Sequence, residues 1–292
     1  MSLGQRLCRQ VLEDRLIREG VADFNKYERE YVLDLVLVNT SPLHIGAGGT
    51  EFLGSPVDLS VLRGTIYIPG RGLYEGPVIP GSSLKGVLRS IAEGLAAKLG
   101  WLRIEPVTLN DSSITCTGEN LADIENKLLS KDCNEERERE LSRLFNDCLA
   151  SPVVGLFGAP WIGSHVEIYD AYPANLEPPR ISVVTRVSID RVTGSQKPGQ
   201  LYSMEIVEAG TKWKTRMRIL NIDVEGDSRE AKLLRMVLRA LEQGISIGRR
   251  TSIGQGSLRL VVGESSLTKV EIDPERAEFV RTVIPLDQLL KG

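Results

Sequence analysis

Pro80-Gly81-Ser82-Ser83-Leu84-Lys85-Gly86-Val87-Leu88-Arg89 sets two hydroxyls and a lysine among glycines, directly ahead of an apolar helical pattern. These are the parts of a phosphate cradle. A nucleotide-hydrolysing P-loop needs its lysine directly after a glycine, with a hydroxyl next to hold the metal. Here Lys85 precedes Gly86 and Val87 stands where the hydroxyl belongs, so that reading fails. What remains is a glycine turn feeding a helix, whose first N–H groups are free for an anion. Lys85 and Arg89 are four residues apart and share one helix face. The arrangement suits phosphates of a polymer backbone; it also suits an ordinary strand-to-helix turn.

Two further regions carry similar chemistry. Gly244-Ile-Ser-Ile-Gly-Arg-Arg-Thr-Ser-Ile-Gly-Gln-Gly256 places Arg249 and Arg250 between glycines, where backbone amides and two guanidinium groups can cradle phosphate. A third set comprises Arg186, Arg191 and Lys197, followed by Lys212, Lys214, Arg216 and Arg218. The last four alternate, so a strand would put them on one face. The plain alternative for that face is solvation.

The elements that must position these groups are legible as patterns. Residues 4–30 carry a helical stripe of Leu7, Val11, Leu12, Leu16 and Ile17. Residues 31–38 read as a strand and 57–70 as a second extended segment. Apolar residues at 84, 87, 88, 91, 95 and 99 predict an amphipathic helix, with Ser82 or Ser83 as its cap. Residues 105–150 read as short helices joined by polar turns, in the manner of an insertion. Residues 181–220 suit two strands around the loop 193–200, and 228–242 a further helix. Helices set against sheet segments in this order predict an α+β fold with helices over an antiparallel sheet.

Composition narrows the function. The chain has 292 residues, 26% of them charged, and a net charge of −3, so nucleic-acid binding would rest on a local basic surface. Aromatic residues make up only 5%, which leaves few rings for stacking exposed bases. The four cysteines, Cys8, Cys116, Cys133 and Cys148, do not make a secreted disulfide scaffold at this length. With no signal peptide pattern and no long apolar run, the expectation is a soluble, cytoplasmic protein without membrane contact.

LHIGAGG at 43–49, VDLSVLRG at 57–64, IPGSSLKGVLRS at 79–90, GLFG at 155–158, TRVSIDRVTG at 185–194 and ISIGRRTSIGQGSL at 245–258 together resemble the RAMP superfamily. The likeness is to the repeated backbone subunit of type III CRISPR effector complexes, of the Csm and Cmr kinds, and it runs from about 31 to 262. It implies an RRM-like (ferredoxin-like) core over 31–104 and 151–265, a helical lid inserted at 105–150, and a thumb hairpin near 186–205. Residues 1–30 and 266–292 would be an N-terminal helical extension and a C-terminal tail. The partners it implies are CRISPR RNA, complementary target RNA, further copies or paralogous subunits in a helical filament, and other type III subunits.

The resemblance also implies roles for residues. His44, Ser82, Ser83, Lys85, Arg89, Arg186, Arg191, Lys197, Arg249 and Arg250 would contact RNA. Asp58 would cut bound target RNA at regular intervals with Mg2+ or Mn2+, binding the metal or orienting a ribose 2′-hydroxyl. Ser60 departs from the family pattern, which has proline two residues after the aspartate. A register through Ser55-Pro56-Val57 would instead put Gly54 at the acidic position. Asp58 as a simple loop cap is the competing reading, and with it a catalytically inactive backbone subunit. An endoribonuclease that processes precursor RNA through His44 is a third. Relatives that bind zinc near the GLFG motif suggest a structural Zn2+ on Cys116, Cys133, Cys148 and His165, although no Cys-x-x-Cys pair is present.

Overall fold

The structure, a computed structural model, describes residues 8–291 except 20, 22, 25, 47–56, 71, 104–106, 110–111, 115, 117–133 and 160–161, with backbone alone at 107–109, 112–114, 188–189 and 197–200. Its elements run α1 (Cys8–Arg18), β1 (Arg29–Asn39), β2 (Arg63–Ile68), β3 (Gly72–Pro77), α2 (Gly81–Lys98), β4 (Val107–Leu109), β5 (Ser112–Ile114), α3 (Glu135–Leu144), α4 (Pro152–Phe157), β6 (Val166–Ile168) and β7 (Tyr172–Pro173). They continue with β8 (Ile181–Ile189), β9 (Gln196–Val207), β10 (Lys212–Leu220), α5 (Arg229–Gln243), β11 (Ile245–Ser246), β12 (Ser257–Leu260), β13 (Ser266–Asp273), β14 (Glu278–Ile284) and α6 (Leu286–Lys291).

The architecture is mixed α+β around a curled antiparallel sheet. β1 lies at its centre and pairs with β10 over Glu30–Val38. Its other edge is shared end to end, Leu37–Asn39 taking β12 and Arg29–Asp34 taking β13. Outer strands extend the sheet, with β6 and β7 on β10, β11 on β12 and β14 on β13. Alternation along β1 turns Tyr31, Leu33, Leu35 and Leu37 inward, opposite Ile219, Met217, Thr215 and Trp213, and all eight are buried. Helices α2, α4 and α5 pack together beside this sheet. The stripe of α5, Leu233, Leu234, Val237, Leu238 and Leu241, is at most 1% exposed, and each side chain contributes about 1.5–3 kcal/mol by leaving water. Ser228 starts that helix by accepting from the Ala231 N–H at 3.1 Å.

Several boundaries differ from the sequence expectation. α1 stops at Arg18 rather than running to 30, two residues ahead of Gly20. α2 begins at Gly81, so neither Ser82 nor Ser83 caps it; Pro80 holds the cap position. The Gly81 N–H is taken instead by the Asp170 carboxylate at 2.8 Å, a group 89 residues away in sequence. Residues 181–220 form three strands, because β10 leaves the β8–β9 hairpin to join the main sheet. The stretch 105–150 contains a short hairpin, β4–β5, besides α3 and a π-helical turn at Phe145–Leu149. The expected tail, 266–292, is built into the sheet: Leu267 of β13 faces Leu33 of β1 and is fully buried, and α6 buries Leu286, Leu289 and Leu290.

Candidate functional site

Three stretches far apart in sequence meet at the base of the β8–β9 hairpin. The first is residues 57–63, which add to the free edge of β9 as a short parallel strand. The Leu59 N–H donates to the Ser203 carbonyl at 3.1 Å, and the Glu205 N–H to the Leu59 carbonyl at 2.9 Å. Side chains reinforce this ladder. The Glu205 carboxylate accepts from the Val61 N–H at 3.0 Å and from both Arg63 Nη atoms at 3.0 Å. Burial pushes that carboxyl up, but the Arg63 and Val61 hydrogen bonds outweigh it and hold it below the usual range.

Asp58 is the exposed end of this segment. Its Oδ2 accepts from the Ser203 N–H at 2.6 Å and from Ser203 Oγ at 2.8 Å, while its own N–H donates back to Ser203 Oγ at 3.2 Å. The Ser203 backbone and then its hydroxyl lower the Asp58 pKa, so the group is a carboxylate at neutral pH. Such a group is a weak base and a good ligand for a hard cation.

The second stretch is residues 40–46. His44 is fully buried, and its Nδ1 lies 2.7 Å from the Glu205 carbonyl. A carbonyl only accepts, so Nδ1 carries the proton and Nε2 presents a lone pair, which has no hydrogen-bond partner. Burial first, and then the charges of Arg249 and Arg250, push the imidazole pKa down. The ring is therefore a neutral structural post.

The third stretch is the glycine loop. The Arg249 N–H donates to the His44 carbonyl at 3.0 Å, and the Gly256 N–H to the Pro42 carbonyl at 2.9 Å. Gly248 and Gly256 have φ of 85° and 77°, and a Cβ on them would lie 2.4 Å from the His44 carbonyl oxygen and 1.9 Å from that of Ile247. Only glycine lets the loop pack this closely. Arg249 is exposed, and Arg250, itself at φ 64°, sets its guanidinium over the Tyr202 ring at 5.1 Å. Tyr202 neighbours Ser203, so cationic loop and carboxylate share one strand.

The remaining candidates are distributed differently. Backbone hydrogen bonds donated by the Leu62 N–H to the Ile45 carbonyl and by the Val78 N–H to the Leu62 carbonyl lead from this junction toward the start of α2. There Ser82 is exposed and Ser83 half-buried. Burial lowers the Lys85 pKa, Arg89 lowers it further, and Glu167 opposes both. Arg89 is committed elsewhere, donating to Glu93 at 2.9 Å and to the Gly158 carbonyl at 3.1 Å. Arg186 sits opposite Tyr202 with its Nε buried and unpartnered, and Arg191 is exposed at the hairpin tip. Lys197 lies on β9.

The β10 stripe is a charge ladder. Arg216 pairs with Asp34 at 2.9 Å, Arg218 with Glu30 and with Glu167, and Lys212 with Glu264. Of the four residues expected to hold zinc, the structure describes Cys116, Cys148 and His165. Cys116 and Cys148 are joined as a disulfide, and Cys133 lies outside the described residues. His165 is buried with Nδ1 2.8 Å from the Leu220 carbonyl, Nε2 3.2 Å from the Val21 carbonyl, and its ring stacked on Phe24. Among the described residues no group of three or more His, Cys, Asp or Glu side chains gathers for a metal. Mg2+ or Mn2+ fits Asp58 in a narrower sense. Both hydrogen bonds fall on Oδ2, and a hard ion that keeps most of its water needs one carboxylate oxygen plus phosphate oxygens.

Sequence reasoning missed Ser203, Glu205 and Arg63. The only signal was that Ser203 and Glu205 alternate with the apolar Met204 and Ile206, which sets both polar side chains on one face of a strand.

Comparison with protein families matches residues 37–259 to the RAMPs, the RAMP superfamily. The chain belongs to this superfamily, and membership marks it as a CRISPR-associated RNA-binding subunit. No curated protein matches the sequence. All three stretches at the hairpin base fall inside the matched region. No helix among the described residues is long and apolar enough to cross a membrane.

Proposed function

We propose that this chain is a backbone subunit of a type III CRISPR effector complex, binding guide RNA and cutting the paired target RNA at Asp58. The observation that carries the reading is the junction itself: an ionised carboxylate fixed on the same strand that receives the Arg249–Arg250 loop. In this reading the core is RRM-like, the β8–β9 hairpin is the thumb between guide and target, and copies or paralogues stack into a filament in the cytoplasm. Arg249 and Arg250, with the start of α2, hold guide phosphates. Asp58 faces the target strand where the hairpin splays it. There the ribose 2′-hydroxyl gives its proton to water as its oxygen attacks the adjacent phosphorus in line; the P–O5′ bond breaks and O5′ takes a proton from water, leaving a 2′,3′-cyclic phosphate and a 5′-hydroxyl. A bound Mg2+ or Mn2+ would offset the charge that develops on the phosphate oxygens. Asp58 holds its place beside that phosphate and stays charged.

Burial and a neutral, inward-facing ring argue against His44 as an acid-base group for precursor processing. The inactive backbone subunit is the rival reading, since Asp58 also closes the parallel ladder as a loop cap would. The guide-loaded complex decides between them. With Mg2+ or Mn2+, wild type should give regularly spaced products that Asp58→Ala loses by at least about a hundredfold, with target binding intact. Intact targets in both reactions would leave a structural subunit.

A further inference from the structure

We propose that Ser203 is the positioning residue for Asp58, loading one carboxylate oxygen so that the other alone is presented to the target-bound cation. The inference rests on the slicing reading above and deepens it.

A two-rotor side chain on an exposed segment has no fixed direction of its own. Here Ser203 removes that freedom in two ways. Its N–H is the donor that a continuing parallel ladder would give to a main-chain carbonyl, but it goes to Asp58 Oδ2 at 2.6 Å. Its hydroxyl donates to the same oxygen at 2.8 Å and accepts from the Asp58 N–H at 3.2 Å, closing a ring of three hydrogen bonds between two residues. Both donors converge on Oδ2, which leaves Oδ1 to bind one cation rather than chelate it through both oxygens. The strand beneath is held in turn: Glu205, two residues on, bonds Val61 and forks with Arg63, so the segment carrying Asp58 is tied to β9 on both sides of Leu59. The carboxylate therefore travels with the hairpin, and whatever the hairpin does to a bound duplex is done at a fixed offset from Asp58.

The serine hydroxyl is the separable part, since the backbone N–H survives any substitution. Wild type, Ser203→Ala, Ser203→Thr and Asp58→Ala would be compared in the assembled guide-loaded complex. Cleavage would be followed against Mn2+ concentration, and Mn2+ binding counted by electron paramagnetic resonance on a target whose 2′-hydroxyl at the cut site is replaced by hydrogen. Loss of one charge-assisted hydrogen bond predicts about tenfold weaker Mn2+ binding in Ser203→Ala and a correspondingly higher Mn2+ requirement for cleavage, with recovery at high Mn2+. Target affinity should hold, and Ser203→Thr should restore the wild-type curve. Unchanged Mn2+ dependence in Ser203→Ala, beside an inactive Asp58→Ala, would overturn the role of Ser203 and leave the slicing reading standing. If Asp58→Ala loses neither cutting nor the ion, both fall. A Ser203→Ala defect that Ser203→Thr does not rescue would mark general damage to the strand and also overturn the proposal.

Discussion

β10 and the 244–256 loop both present runs of basic side chains, and the fold treats them in opposite ways. On β10 the strand next door supplies the counter-charges: Arg216 meets Asp34 directly across the ladder, and Arg218 reaches Glu30. In the loop, φ-positive turns lift Arg249 into solvent while its N–H anchors to His44. Arg216 and Arg218 have neutralising partners on the neighbouring strand, whereas Lys214 lies opposite Val36. Cations on a glycine loop have none dictated by geometry, and in the proposed function these are the ones that meet phosphate.

This contrast can be broken most severely at the glycine. Gly256→Ala places a Cβ 1.9 Å from the Ile247 carbonyl oxygen at φ 77°, and should cost about 3 kcal/mol or more in denaturant unfolding while abolishing guide binding. A sharper comparison sets Arg249→Ala with Arg250→Ala against Arg216→Ala. The loop pair should lower guide-RNA affinity about tenfold or more and cut the salt slope by about 1.4, as expected for two lost phosphate contacts to a single strand. Arg216→Ala should leave the salt slope alone and reduce stability by no more than about 1 kcal/mol, as a largely exposed pair would.

The post under the loop gives the gentlest test. His44 is held neutral by burial, so its folded pKa lies below its unfolded value near 6.5. Its stabilising contribution is complete above that value and is lost as pH falls toward the folded pKa. Melting followed from pH 7.5 to 5.5 should show wild type losing stability by at most about 1.4 kcal/mol per pH unit from this group. His44→Asn, which does not titrate, should give a flatter profile.

What could be seen in the sequence was what is local. The apolar spacing through Leu84, Val87, Leu88 and Ile91 specified α2, and the pattern over 228–242 specified α5, which runs Arg229–Gln243. The two glycine regions were visible because glycine announces unusual backbone without reference to anything else. Hidden features were those set by distant partners. Asp170 displaced both serines as the cap of α2 from 89 residues away. Asp34, 182 residues from Arg216, turned a candidate phosphate stripe into a ladder. Glu205 fixes the tautomer of His44 across 161 residues. β13 looked like a tail because nothing in its own sequence says that Leu33 waits for Leu267.

The way the hairpin is rooted separates two properties that evolution can then alter independently. Its base is keyed to odd-numbered positions of β9, Ser203 and Glu205, so one residue inserted or deleted there would turn both away from Asp58 and Arg63. Its far end is under no such restriction. The turn at 190–195 closes on itself, Asp190 N to the Ser195 carbonyl at 2.8 Å and Gly194 N to the Asp190 carbonyl at 2.9 Å, and the ladder already absorbs an irregularity between Val187 and Ile189. Adding two residues to each arm near that turn lengthens the hairpin by roughly 7 Å and leaves the root untouched. Reach is thus a tunable dimension, while the place where the carboxylate stands is not.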